Sequence, residues 1–119
     1  MTVMQILTAK LKAGDILLTP IRRNKFKVES ISPSDITLIL GKGWRTPIPA
    51  DCWNGIPYYL KGKGWVEIGA IHGVSKPGTL ENYIDGFIPR SAGNYVTSIL
   101  EHTGIVEIDR RLPSKVRLL

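Results

Sequence analysis

The sequence predicts an α+β fold in which a small antiparallel β module precedes a helical domain that ends in a β hairpin. Three observations support this prediction. Short β-rich runs alternate with turn residues in the first 48 positions, an apolar stripe at helical spacing precedes Gly104, and two further β-rich runs follow it. A chain of 119 residues is long enough for one domain, or for two small modules that share a core. We place the boundary between residues 1–48 and residues 49–119.

The first 48 residues predict a short helix followed by four strands. Residues 2–11 carry Met4, Leu7 and Leu11 on one side, as a helix lying on the β module would. The β-rich runs cover residues 15–19, 26–31, 36–40 and, as the least regular, 44–48. Short connections rich in Pro, Asn, Ser and Gly favour an antiparallel meander. Residues 12–17 resemble the first strand of SH3-like barrels.

Residues 49–90 predict short helices around one small strand. Asp51 can cap a helix, but Pro57 should interrupt it, because proline in a helix interior costs about 3 kcal/mol or more. We therefore expect two separate helical turns here. Residues 65–68 predict a brief strand, and Thr79 can cap a helix that continues to about Asp85.

A longer helix is predicted over residues 91–103, with Ser91 as its N-cap and Gly104 as the residue that ends it. Its apolar stripe comprises Tyr95, Val96, Ile99, Leu100 and Thr103. Its opposite face comprises Asn94, Thr97, Ser98 and Glu101, and we expect that face to be exposed.

The last residues predict two strands joined by a basic turn. The strands cover residues 105–108 and 116–119, and the turn between them carries Arg110, Arg111 and Lys115. A helix ending in Leu-Glu-His-Thr-Gly-Ile-Val at 100–106 and followed by this hairpin resembles the recognition helix and wing of winged helix-turn-helix DNA-binding domains. The resemblance covers at most residues 49–119.

The resemblance implies that the helix enters the major groove of double-stranded DNA while the wing follows the sugar-phosphate backbone. It would place Asn94, Thr97 and Ser98 at base edges, with Arg90 and Ser91 near bases or phosphates. The wing residues Arg110, Arg111 and Lys115 would contact phosphates. An amphipathic helix packed on a hairpin in a domain that never meets DNA remains the alternative.

Charge supports a polyanionic partner. The net charge is +6, and residues 1–49 hold eight Lys or Arg against three acids, whereas residues 50–119 hold eight against seven. The turn containing Arg22, Arg23, Lys25 and Lys27 is therefore a second expected phosphate-binding region. A surplus of this size is also compatible with ordinary solubility.

The motif Gly-Lys-Gly-Trp occurs at residues 41–44 and again at 62–65. Basic loops beside an aromatic ring can hold phosphates and stack bases, which leaves RNA binding through the β module as one alternative. The ordinary interpretation is two turns that each precede a core tryptophan. A second alternative function is an adaptor, with the wing and residues 58–59 contacting a protein partner in a larger assembly.

Residues with catalytic potential are sparse, so we expect no enzyme, metal or cofactor. Cys52, His72 and His102 lie far apart in sequence, and no metal-ligand or nucleophile motif is present. The single cysteine favours a cytoplasmic location, and no apolar run is long enough to predict a membrane partner. The expected function is double-stranded DNA binding, as in a regulator or the recognition part of a DNA-processing system.

Overall fold

A four-stranded antiparallel sheet forms the N-terminal half of the computed structural model, which describes residues 1–69 and 75–119. The strands are β1 (Ile16–Leu18), β2 (Lys25–Ile31), β3 (Asp35–Leu40) and β4 (Trp44–Pro49), paired in chain order. Alternation along β2 buries Phe26 and Val28 while Lys25 and Lys27 face outwards. The predicted meander is confirmed. His72 lies outside the described residues.

Two helices pack beside this sheet. Helix α1 (Val3–Lys10) begins with a capping box in which the Thr2 hydroxyl accepts from the Gln5 amide and the Gln5 side chain accepts from the Thr2 amide. Its buried Leu7 confirms the predicted apolar side. Helix α2 (Ala50–Leu60) follows β4 directly and contacts α1, where its Asn54 side chain accepts from the Met4 amide.

Helix α2 continues through Pro57, so the prediction of two separate turns is wrong. Proline removes one amide donor from the helix, but Ile56 and Leu60 on either side of it are buried in the core. The Tyr83 hydroxyl also donates to the carbonyl oxygen of Cys52 at 2.9 Å. Burial of this face stabilises the continuous helix enough to offset the local cost of the proline.

The C-terminal half contains two more helices and a second sheet. Helix α3 (Leu80–Asp85) is capped by the Thr79 hydroxyl, as predicted, and helix α4 (Gly93–His102) follows it. Strands β5 (Val66–Glu67), β6 (Val106–Asp109) and β7 (Lys115–Leu118) form an antiparallel sheet in the order β5, β7, β6. The strand before α3 and the C-terminal hairpin were both expected.

Gly104 ends α4 as predicted. Its φ of +81° is a backbone conformation that glycine adopts without strain, and it turns the chain so that the Ile105 amide donates to the Leu100 carbonyl at 2.9 Å. The hairpin therefore starts immediately after the helix and packs against it. Strand β6 makes more contact with α4 than any other strand does among the described residues.

One core joins the two halves of the chain on either side of residue 48. Buried apolar residues from β2, β3, α2, α4 and β7 belong to a single cluster, and the Phe26 and Tyr95 rings meet edge to face at 5.2 Å. The Lys10 ammonium group donates to the Thr103 carbonyl at 2.9 Å. Helix α4 therefore contacts the N-terminal half of the chain as well as its own hairpin.

Across residues 1–69 and 75–119, no helix is long and apolar enough to cross a membrane.

Candidate nucleic-acid interface

The middle of α4 is covered by the edge of the four-stranded sheet. Thr97 is 0% exposed and its hydroxyl donates to the Gly93 carbonyl, while Ser98 is 6% exposed and donates to the Leu18 carbonyl in β1 at 2.6 Å. The expectation that Thr97 and Ser98 lie on an exposed face is therefore wrong. Their hydroxyls satisfy backbone groups inside the protein and cannot reach a base. Asn94, one turn earlier, remains partly exposed.

A buried carboxylate holds the start of α4. Glu81 of α3 is 1% exposed, and its oxygens accept from the Gly93 amide at 3.1 Å, the Ala92 amide at 3.4 Å and the Ser91 hydroxyl at 2.6 Å. The predicted N-cap role of Ser91 is therefore wrong, because Ala92 holds the cap position and Glu81 supplies the acceptor. The amides at this helix end are already occupied by a negative charge and are not free to bind phosphate.

The cations of the predicted wing are mostly paired. Arg110 binds both carboxylate oxygens of Glu101, at 2.7 and 2.8 Å, and its Nε donates to the Pro20 carbonyl at 3.2 Å. Arg111 binds Asp109 through its side chain and its amide. These hydrogen bonds from Arg111 lower the pKa of Asp109 to about 2. Arg110 consequently fastens the β1–β2 turn to α4, and Arg111 brings little uncompensated charge.

Lys115 differs from the two arginines. It lies opposite Asp109 in one strand pair and opposite Glu67 in the other, and its ammonium group is 3.4 Å from the Pro113 carbonyl. The turn end of the hairpin is therefore a mixed-charge surface.

Four predicted site cations without an ion pair lie in the β1–β2 turn and at the start of β2. Arg22, Arg23, Lys25 and Lys27 are all exposed, and none of them forms an ion pair with a described residue. Arg23 adopts a left-handed backbone conformation with φ of 58°, which tightens the turn. This turn therefore offers the strongest uncompensated positive charge among the predicted site residues.

A cleft of about 270 Å³ joins three of the predicted segments. We call it the turn–hairpin cleft. Its lining combines Arg22 from the β1–β2 turn, Asn94 from the first turn of α4 and Pro113–Ser114 from the hairpin. Glu67 also lines it, and its carboxylate lies 3.5 Å from the Lys76 ammonium group. The structure thus brings Arg22 and Asn94 together, although 72 positions separate them in the sequence.

Both tryptophans of the Gly-Lys-Gly-Trp repeats are exposed, contrary to the interpretation of them as core residues. Trp44 is 61% exposed and Trp65 is 39% exposed, whereas the unrelated Trp53 is fully buried. An arginine lies over each exposed ring: Arg90 is 4.5 Å from the Trp44 centroid, and Arg117 is 4.4 Å from that of Trp65. The repeat was the only sequence signal for these two pairs.

The predicted site residues therefore divide into groups. Arg90 and Ser91 line a cleft beside Trp44, and Arg22 and Asn94 line the turn–hairpin cleft. The remaining predicted residues are exposed cations, ion-paired arginines, buried hydroxyls and the half-buried Lys115. Sequence reasoning did not identify Glu81, which positions the helix between the two clefts.

Chemical groups suited to catalysis or metal binding are not gathered anywhere in the described part of the chain. No three His, Cys, Asp or Glu side chains there are close enough to hold a metal ion. Cys52 is buried, and burial raises the pKa of its thiol to about 12, which keeps it protonated and unreactive.

Comparison with protein-family models, curated proteins and solved structures found no match for this chain.

Proposed function

We propose that this protein binds double-stranded DNA through the turn–hairpin cleft and the basic β1–β2 turn beside it. One observation carries the proposal. The sequence predicts nucleic-acid contacts in three segments: the β1–β2 turn, the start of α4 and the hairpin. All three segments line a single concave surface. The activity that we propose for this surface is binding.

The order of elements in the C-terminal half supports the resemblance to winged helix-turn-helix domains. Helix α2, the small strand β5, helices α3 and α4, and the β6–β7 hairpin follow one another as that family requires. Under this proposal α4 is the recognition helix and the hairpin is the wing.

The mode of contact would nevertheless differ from the family pattern, because β1 covers the middle of α4. Base reading would fall to Asn94 at the start of the helix, whose amide can pair with both the acceptor and the donor of an adenine edge. Phosphate neutralisation would come from Arg22, Arg23, Lys25 and Lys27, since these cations have no acidic partner in the described structure.

The experiment is a salt series of duplex titrations followed by fluorescence anisotropy. Each neutralised phosphate contributes about 0.9 to the slope of log affinity against log salt concentration. We expect the double variant Arg22→Ala/Arg23→Ala to reduce that slope by roughly 2, because it removes two such contacts. Asn94→Ala should leave the slope unchanged and reduce the preference between duplex sequences.

The matched control is Lys61→Ala/Lys63→Ala, which removes the same charge from exposed residues that do not line the turn–hairpin cleft. If the control variant reduced the salt slope equally, the protein would attract DNA through its overall charge and not through the turn–hairpin cleft. Absence of duplex binding even at low salt would refute the proposal and favour an adaptor, for which the 81% exposed Tyr58 is a natural contact.

Exposure of both Trp44 and Trp65 favours a second candidate, single-stranded RNA binding, because bases stack on exposed aromatic rings. Matched RNA and single-stranded DNA in the same titrations distinguish the two. Tighter binding of RNA than of duplex would support this second candidate.

A further inference from the structure

Trp44 is placed to receive a ligand. It is the first residue of β4, opposite Leu40 in the register, and it lines a cleft together with Tyr95 from the first turn of α4. Because 61% of its surface is exposed, the large aromatic side chain of Trp44 gains little free energy from burial. Such a ring offers a flat face on which another planar group can stack.

Arg90 supplies positive charge at the same place. Its guanidinium lies 4.5 Å from the Trp44 ring centroid, and within residues 1–69 and 75–119 no carboxylate forms an ion pair with it. Arg110, Arg111 and Arg117 each bind a carboxylate instead. Arg90 is therefore available to an anionic ligand, and its stacked position costs little to abandon because cation–π contacts at exposed sites are weak.

The space beside these two residues has the dimensions of a small-ligand site. The Trp44 cleft, as we name it, has a volume of about 350 Å³ and is lined by Leu40, Gly41, Trp44, Arg90, Ser91 and Tyr95. Apolar and aromatic walls suit a planar ring, and a guanidinium suits the phosphate attached to it. Exposed Lys42, two residues before Trp44, adds a second positive charge to the loop.

We propose that the Trp44 cleft binds one unpaired nucleotide of a DNA strand, with its base stacked on Trp44 and its phosphate held by Arg90. Such a nucleotide is supplied by a bulge, an overhang or a base displaced from the duplex. The inference rests on the proposed DNA binding but uses a different surface from the turn–hairpin cleft.

The second Gly-Lys-Gly-Trp repeat provides a matched control. Trp65 also carries an arginine over its ring, but Arg117 is bound to Glu107, and the ring is only 39% exposed. Neither Trp65 nor Arg117 lines the Trp44 cleft. If a base stacks in the Trp44 cleft, Trp44→Leu should therefore abolish the stacking and Trp65→Leu should not.

The first arm of the test uses a single-stranded tetramer of deoxyadenosine and records quenching of tryptophan emission. We expect saturable quenching in the wild-type protein and in Trp65→Leu, at least fivefold weaker binding in Arg90→Ala, and no saturable quenching in Trp44→Leu. Quenching that persists in Trp44→Leu, or its absence in the wild-type protein, would overturn the proposal.

The second arm compares a fully paired duplex with the same duplex carrying one bulged adenosine, measured by anisotropy. Stacking of a base on an aromatic side chain should make the bulged duplex bind roughly 5- to 150-fold more tightly. Trp44→Leu should abolish that difference and change affinity for the paired duplex by less than about twofold.

The two arms separate the two proposals. Tetramer binding without any duplex binding would refute the proposed function and leave the Trp44 cleft as a single-strand site. Duplex binding without tetramer binding or a preference for the bulged duplex would refute nucleotide binding in the Trp44 cleft. It would not contradict the proposed function.

Discussion

Replacement of Glu81 by alanine should be among the most destabilising single changes in this protein. The carboxylate is buried and joins α3 to the first turn of α4 through three hydrogen bonds. Without it the amides of Ala92 and Gly93 lose their acceptor in a place that water does not reach. A buried donor left unpaired costs about 1–3 kcal/mol, and the bond from Ala92, at 3.4 Å, belongs at the low end.

Adding the small cavity left by the side chain, we expect Glu81→Ala to lower the free energy of unfolding by about 3–4 kcal/mol. For a chain of this length that corresponds to a fall in Tm of roughly 10–20 °C. Glu81→Gln keeps one acceptor but places an amide nitrogen towards a donor, so its cost should be about 1–2 kcal/mol.

Urea unfolding followed by circular dichroism measures these changes. Glu29→Ala is the control, because it removes a carboxylate from an exposed ion pair with Arg45 and should cost at most about 1 kcal/mol. If Glu81→Ala were no more destabilising than Glu29→Ala, the carboxylate would not be holding the start of α4 and the reasoning would fail.

Other predictions concern ionisable groups. Arg110→Lys should lower the free energy of unfolding by about 1 kcal/mol in urea titrations, because lysine cannot bind both Glu101 oxygens and the Pro20 carbonyl together; an unchanged midpoint would contradict the proposed clamp. Burial raises the pKa of Cys52 from 9.0 to about 12 and that of Tyr83 from 10.0 to about 12, so stability should be intact below pH 9 and decline as the pH rises towards 12. Stability measured at pH 8 and pH 10.5 checks this, and equal values would refute it. The lowered pKa of Asp109 gives the opposite sign: its contribution is present above pH 3.8 and is lost as the pH falls to about 2. Asp109→Asn should therefore flatten the acid side of the stability profile, and an unaltered profile would count against the Asp109–Arg111 bond.

The strands could be predicted because their signals are local. Alternating burial along β2 and the turn residues between strands act within a few positions, and each observed bound differs from the expected one by at most one residue. The same holds for the Thr79 cap and the Gly104 stop, since each depends on hydrogen bonds to close neighbours in sequence.

The errors arose where distant segments decide the outcome. Short hydroxyl side chains suit both a wet helix face and a face covered by a strand edge, so nothing near Thr97 or Ser98 indicates that Leu18 packs there. Glu81 looks like an ordinary acidic residue in the first turn of α3, where it would favour that helix. The groups that donate hydrogen bonds to its carboxylate lie ten to twelve residues later in the chain.

The candidate site could be predicted only in part, because some of its features depend on contacts between distant segments. The basic residues between Arg22 and Lys27 could be found from composition, and they are exposed, but the ion pairs of Arg110 and Arg111 depend on where Glu101 and Asp109 lie in space. Tryptophan exposure was also undetermined, because the residues around Trp44 and Trp65 do not reveal how far the sheet extends over them.

The bond between Ser98 and Leu18 has a consequence for how the chain reaches its native state. It joins residues 80 positions apart, and the Lys10–Thr103 and Arg110–Pro20 bonds span 93 and 90 positions. Closing such long loops is slow, so we expect folding to be governed by late docking of the C-terminal segment onto the sheet, where the Phe26 ring packs against Tyr95 of α4. During synthesis the Phe26 ring lacks this contact until α4 has emerged, so we expect the risk of aggregation to be greatest in the interval before docking.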